Sequence, residues 1–336
     1  MIDIEDPAAL VGYLRDGGRI GADEQPEVRV LAGGVSNRTV LVARPGGEAW
    51  VIKQALAKLR VAVDWFAPPG RISREAAGLR VLHELAPPGT ITPLVFEDPG
   101  QGLLAMAAVP QPHENWKQVL LSGRLSAGHV AQFGHLLGVV HAAARGRADL
   151  AGAFADQSAF ESLRLEPYYG YTAGKVPAAA GFLDTLIAET RARRDSLVHG
   201  DYSPKNVLVH RGRLILVDHE VIHYGDPAFD LGFGLSHLLS KAHHVSGRRQ
   251  EFAAAAGWFW DAYQQAAGPP AADPAFQARA VRHALGCLLA RVDGRSPLEY
   301  LSGPERAAQR QAVLALLTGQ PPTAAALAVA FTGCLA

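Results

Sequence analysis

The stretch that decides the reading is His199-Gly200-Asp201-Tyr202-Ser203-Pro204-Lys205-Asn206, followed by Val207–Val209, a turn at Arg211-Gly212, Leu214–Val217, and then Asp218-His219-Glu220. Two short apolar runs around a glycine-bearing turn read as a β-hairpin. A hairpin returns the chain to the end it left, so Asn206 and Asp218 become neighbours. Oxygen donors meeting at one point suit Mg2+, which takes few protein ligands and shares phosphate oxygens. Asn206, Asp218 and Glu220 are therefore candidate metal ligands, and Asp201 is left to accept a proton from an attacking hydroxyl. That is the arrangement phosphoryl transfer uses. Turn chemistry alone also favours Asp and Asn at such places. It does not require Asp-x4-Asn and a second acid across a strand–turn–strand. His199 reads as a residue that bonds backbone and holds the loop rather than as a base.

Composition excludes several classes. The 336 residues are 49% hydrophobic and 19% charged, with 32 basic against 32 acidic side chains, so a basic footprint for nucleic acid is missing. The longest apolar run, Ala324 to Phe331, is far short of the roughly 18 residues a membrane helix needs. Met1 to Pro7 carries acids and no base, unlike a secretory signal. Cys287 and Cys334 are too few for a disulfide framework or a cysteine-only zinc site. A soluble, cytoplasmic protein is expected.

The chain divides unevenly. Val28–Leu31, Thr39–Ala43, Ala49–Lys53 and Leu103–Ala107 read as strands, with a hairpin at Gly46-Gly47. Arg71 to Leu85 reads as an amphipathic helix ended by Pro87-Pro88-Gly89. Beyond residue 110 helical spacing dominates, in 127–144, 182–195, 231–241, 251–267, 275–291 and 303–318, while 156–176 reads as an irregular connection. The expectation is an α+β, bilobal chain: a strand-rich lobe over 1–109 and a mainly helical lobe over 110–336.

His-Gly-Asp-x4-Asn, Asp218-x-Glu220 and Gly225-Asp226-Pro227-Ala228-Phe229-Asp230 together resemble the aminoglycoside phosphotransferase/choline kinase superfamily. The resemblance implies a protein-kinase-like fold and phosphorylation of a small molecule by ATP with Mg2+. It gives Asp230 the role of buttressing the catalytic loop; on residues alone Asp230 reads as a helix N-cap. The small lobe would bind ATP, with Lys53 on the α/β-phosphates and Glu75 as its helix partner. Glu75 could instead pair with Arg71 on the surface. Gly33, Gly34, Ser36 and Asn37 would let backbone approach phosphate, and the backbone from Ala107 to Val109 would meet adenine.

A narrower stretch resembles methylthioribose kinase: Val51-Ile52-Lys53-Gln54-Ala55-Leu56, Leu59-Arg60-Val61, Trp65, Arg71 and Glu75. On that resemblance Trp65 and Arg282 would bind the acceptor, although Asn206 stands where those kinases usually have serine and only one of their two arginines is kept. Arg291 and Asp293 read equally as acceptor ligands or helix-end salt partners. After Lys241 the chain is not acidic, which argues against a polycationic aminoglycoside. Trp258, Trp260 and Tyr263 could form a cage for choline, or pack the core. The competing readings are an aminoglycoside or amino-alcohol phosphotransferase and a non-catalytic nucleotide-binding pseudokinase, which the intact Lys53, Asp201, Asn206 and Asp218 disfavour. A protein kinase is disfavoured by Gly200 in place of arginine. The expected partners are the small acceptor and a second copy in a homodimer, with no nucleic acid and no membrane.

Overall fold

The turn at Gly46-Gly47 closes as expected: the Arg44 N–H donates to the Glu48 carbonyl (2.8 Å), Gly47 takes φ 85°, and Val42 lies opposite Trp50. This computed structural model describes residues 1–31, 36–60, 65–66 and 70–335. The hairpin joins β2 (Asn37–Ala43) to β3 (Ala49–Ala55) in an antiparallel sheet with β1 (Glu27–Val30), β4 (Leu94–Asp98) and β5 (Leu103–Ala107), in the order β1-β2-β3-β5-β4. Period-two burial gives each face its own cover. Val40, Val42, Trp50, Ile52, Leu103 and Ala105 pack against Leu10 and Leu14 of α1 (Pro7–Asp16). That helix escaped the sequence reading, although it carries its start signals: Asp6 accepts the N–H groups of Ala8 and Ala9, and Pro7 opens the first turn. On the other face, Ile72, Ala76, Leu79 and Leu82 of α2 (Arg71–Leu85) meet Leu104 and Met106. The same apolar cluster runs on without a break into the helical part.

There the chain forms α3 (Trp116–Leu121), α4 (Ala127–Ala144), α5 (Ala148–Ala153), α6 (Ser158–Phe160), a π-helix (Glu161–Gly170), α7 (Tyr171–Lys175) and α8 (Pro177–Ala192). After the catalytic hairpin come α9 (Ala228–His244), α10 (Arg249–Ala267), α11 (Pro274–Asp293), α12 (Gly303–Thr318) and α13 (Ala324–Gly333). α9 is buried from Ala228 to His243 and forms the axis of this part. α4 and α10 touch backbone to backbone: a Cβ on Gly134 would sit 2.2 Å from the Phe259 carbonyl oxygen. No helix among the described residues is long and apolar enough to cross a membrane.

One expectation is corrected here. Residues 156–176 are not an irregular connection but largely helical, through α6, the π-helix and α7. Pro167, Gly170 and Gly174 pointed to a break. A π-turn is wider than the 3.6-residue turn, so the usual apolar spacing does not announce it. The trio Trp258, Trp260 and Tyr263 is not a cage: Trp260 and Tyr263 pack with Phe276 in the core, and Trp258 is exposed.

Candidate active site

Short sheets carry the chemistry. β8 (Val207–His210) pairs with β9 (Arg213–Leu216), flanked by β6 (Glu114–Asn115); β7 (Ser196–Val198) pairs antiparallel with β10 (His223–Gly225). Val207 lies opposite Leu216, and the Val217 N–H donates to the Asn206 carbonyl (2.9 Å). The hairpin thus brings Asn206 beside Asp218, as its length requires. Asp218 has φ 70°, a left-handed conformation that aspartate tolerates better than most residues.

β7 delivers His199-Gly200-Asp201, and the first turn of α9 clamps it. Asp230 accepts the His199 N–H with one carboxylate oxygen (2.7 Å) and the Gly200 N–H with the other (2.8 Å). His199 Nδ1 accepts the Asp201 N–H (3.2 Å). Gly200 sits at φ 76°, and a Cβ there would come 3.0 Å from the Val221 carbonyl oxygen. Asp230 is not the N-cap of α9. It lies inside the helix, and the Ala228 N–H bonds to the Asp226 side chain instead (3.0 Å).

Asp201 is 2% exposed. Its Oδ2 accepts from Arg164 (2.7 Å), Asn206 Nδ2 (2.7 Å) and Lys205 (3.1 Å), while Oδ1 is buried with no partner among the described residues. Burial, the largest influence, opposes ionisation; Arg164 and Lys205 outweigh it and hold the carboxyl below its ordinary value. The group is therefore an anion with one oxygen fully engaged and one buried and unpaired. Arg164 also donates to the Gly200 carbonyl (2.9 Å) and the Leu163 carbonyl (2.7 Å). It comes from the π-helix, and the sequence reading missed it.

On the other side of the hairpin, Lys53 Nζ lies 2.7 Å from Glu75 Oε1 and 2.7 Å from Asp218 Oδ1. Burial pulls the Lys53 ammonium down, but Asp218, Glu75 and Glu220 more than reverse it, so Lys53 stays a cation. Asp218 is likewise burdened by burial and held well below its ordinary value by Lys53 and Lys205. The alternative surface pair of Glu75 with Arg71 does not form. Arg71 is buried and donates through Nε to Glu220 (3.0 Å) and through Nη2 to the Leu56 carbonyl (2.9 Å) and the Ser36 carbonyl. Glu220 Oε1 accepts from Ser36 (2.8 Å) and its Oε2 from Asn37 (3.0 Å). Ser36 and Asn37, expected at phosphate, therefore direct their side chains to Glu220, and both oxygens of Glu220, expected on a metal, are engaged by protein donors. Gly33 and Gly34 lie outside the described residues.

No group of three or more His, Cys, Asp or Glu side chains that could hold a metal occurs among the described residues. The donors at hand are the Asp218 carboxylate, a quarter of whose side-chain surface is open, and Asn206, which spends its amide nitrogen on Asp201. That set fits a cation that draws its other ligands from phosphate and water.

Near the expected hinge, the Ala107 N–H donates to the Pro93 carbonyl (2.9 Å) and the Ala108 N–H to that of Ala49 (2.8 Å), while His113 Nδ1 lies 3.1 Å from the Val109 carbonyl oxygen. Trp65 donates to the Ser162 carbonyl (2.9 Å) and lines a cleft of 470 Å³ with Phe66, Glu161, Glu166 and Arg295. Arg282 is a correction. It pairs with Glu189 of α8 (2.5 Å) in a cleft with Phe182 and Leu317, rather than joining the catalytic cluster. Its neighbour His283 points inward, bonded to the Tyr169 hydroxyl (2.9 Å) and 3.7 Å from Asp226. Asp293 is a structural salt partner, held by Arg310.

Solved structures with this fold span nearly the whole chain. An amicoumacin kinase in complex with AMP-PNP, Ca2+ and Ami aligns with TM-score 0.60 at 15% identity, covering 93% of this chain and 94% of that one. A macrolide 2'-phosphotransferase from Brachybacterium faecium aligns with TM-score 0.52 at 18% identity over 90% and 97%, and a choline kinase from Streptococcus pneumoniae with 0.52 at 17% over 91% and 99%. No curated protein matches the chain. The model of the phosphotransferase enzyme family fits residues 27–275, which hold the sheet, Lys53, Glu75, the catalytic hairpin and Asp230. On this match the chain belongs to the phosphotransferase enzyme family, and it is an enzyme that transfers a phosphoryl group to a hydroxyl of a small molecule.

Proposed function

We propose that the chain transfers the γ-phosphoryl group of ATP, with Mg2+, to a hydroxyl of a small polyol-like acceptor. The observation that carries this is the unpaired Oδ1 of Asp201 in a carboxylate otherwise fixed by Arg164, Asn206 and Lys205. Asp201 orients the acceptor hydroxyl and takes its proton. The acceptor oxygen bonds the γ-phosphorus, the bond from that phosphorus to the bridging oxygen breaks, and ADP leaves. Lys53, fixed by Glu75, holds the α- and β-phosphates. Asp218 and Asn206 would hold the cation, which would neutralise phosphate charge when bound. Glu220 acts one step back: it ties Ser36, Asn37 and Arg71 together at the edge of the nucleotide site.

A sugar of the methylthioribose type keeps one of its two supports, the Trp65 cleft, and loses Arg282. A polycationic aminoglycoside is opposed by the charge beside the catalytic loop, where Arg164 and Lys205 flank Asp201. Asp201→Asn tests the reading. Loss of a general base costs ~10²–10⁴-fold in rate, with Mg2+–ATP binding retained. Turnover at the wild-type rate on any accepted hydroxyl substrate would show that Asp201 is not the base.

A further inference from the structure

The catalytic loop borders a cluster of cations of which the transfer step uses only Arg164 and Lys205, through Asp201. Asn115 donates to the Lys205 carbonyl (2.7 Å), which sets Lys117 of α3 beside the loop. Arg164 and Arg291 lie over the Tyr168 ring, 5.7 and 5.6 Å from its centroid, and Arg291 donates to the Tyr168 hydroxyl (2.9 Å). Phe233, His237 and Lys241 share one face of α9. The Phe233 ring is 5.7 Å from Tyr168 and 5.1 Å from His237, and Lys241 donates to the His237 carbonyl (3.3 Å). His237, Lys241 and Arg291 are each less than a tenth exposed.

The carboxylates nearby are already spent. Asp201 is held by Arg164 and Lys205, Glu299 pairs with Lys117, and Asp293 is held by Arg310. Meanwhile His237 Nε2, Arg291 Nε and the Tyr300 hydroxyl are buried without a partner among the described residues. Buried cations and unpaired donors are costly unless something pairs with them. Burial, with Lys117 and Arg291 adding to it, also pushes the Lys241 ammonium down to about 7, so this lysine can take up a proton when an anion arrives.

We infer that the acceptor carries an oxyanion, a carboxylate or a phosphate on the same small molecule as the reacting hydroxyl, held by Arg291 and His237 with Lys205 at the mouth of the site. The inference rests on the kinase reading above and narrows its substrate class to hydroxylated acids. A guanidinium presents forked donors that suit either oxyanion.

Thermal stability measured with Mg2+–AMP-PNP, and then with matched acceptors added, tests it. The pairs are gluconate against glucose and glycerate against glycerol; glycerol 3-phosphate is the phosphate arm and kanamycin the polycation. The acids should raise Tm beyond the nucleotide alone and their neutral partners should not. Arg291→Met should weaken the acid about tenfold or more. Lys205→Met, at a side chain 47% exposed, should weaken it in the same direction. The larger response decides between carboxylate and phosphate. An equal response to glucose, glycerol or kanamycin, or none to any acid, overturns the inference while the nucleotide shift still stands. Absence of the nucleotide shift in the wild-type protein would instead overturn the kinase reading, and this inference with it.

Discussion

The two sides of the catalytic hairpin solve the problem of buried charge in opposite ways. On the sheet side, Lys53 and Arg71 face Glu75, Asp218 and Glu220 at hydrogen-bond distance. On the helical side, the carboxylates paired with Lys117, Arg164, Lys205, Lys241 and Arg291 among the described residues are Asp201 and Glu299. A paired cluster is stable by itself and, on the proposed function, would bind by exchanging partners: a phosphate would take Lys53 and a cation Asp218. A cluster with more cations than carboxylates is kept at a cost to stability, and a further anion comes only from outside. The nucleotide side is therefore preorganised, and the acceptor side is the one that a ligand should stabilise.

The largest effect that sharpens this contrast is on the paired side. Asp218→Ala should lower kcat on the order of 10²–10³-fold, the usual cost of removing one group that stabilises developing charge. It should also raise the Mg2+ concentration needed for half-maximal rate. Glu220→Gln should lower the rate less and leave that concentration where it was, because Glu220 bonds Ser36, Asn37 and Arg71. Equal shifts in Mg2+ dependence for both variants would return Glu220 to the metal.

Arg164→Lys probes the border between the two sides. Arg164 fixes Asp201 Oδ2 and the Gly200 carbonyl at once, a fork that a lysine cannot reproduce. A misplaced base costs up to about 10²-fold, so kcat should fall roughly tenfold to a hundredfold. KM for ATP should hold, since among the described residues Arg164 bonds Asp201 and the Gly200 and Leu163 carbonyls rather than the Lys53 cluster. A rise in KM for ATP with kcat unchanged would move Arg164 to the nucleotide side.

How legible each side was in the sequence follows from how it is built. Asn206 and Asp218 are tied by one short hairpin, so spacing placed them; Lys53 and Glu75 lie on a strand and the next helix, and the family resemblance implied their pairing, with Arg71 as the alternative partner of Glu75. The cation cluster draws single residues from α3, the π-helix, the catalytic loop, α9 and α11, and no local pattern connects them. Arg282 shows how narrow the margin was. Successive helix positions turn by about 100°, so His283 reaches the buried Asp226 while Arg282 faces Glu189 outside. Arg291, eight residues beyond His283, returns to the inner face and is the arginine the cluster uses. Arg71 belongs to the stretch that resembles methylthioribose kinase, but its tie to Glu220, 149 residues away, has no sequence signal.

The smallest effect expected is also the most direct measure of the unpaired side. Lys241 is buried, with a folded pKa near about 7 against an ordinary lysine value of about 10.4. Below pH 7 both folded and unfolded chains carry the proton, and the folded one bears the full cost of the buried charge. Between about 7 and 10.4 the unfolded state binds more protons, so stability rises with pH. Above that range the cost is gone. Lys241→Met removes the group and keeps most of its volume, so it should stabilise the protein by roughly 1–3 kcal/mol near pH 7. That gain should shrink steadily towards pH 10. Titration common to both proteins cancels in the difference curve, which leaves Lys241 alone. A flat difference across this range would mean that Lys241 finds a partner in the folded protein and that the cluster is not short of anions. A sloping difference that is abolished when an acidic acceptor saturates the wild-type enzyme would tie the cost of the buried lysine to the site it serves.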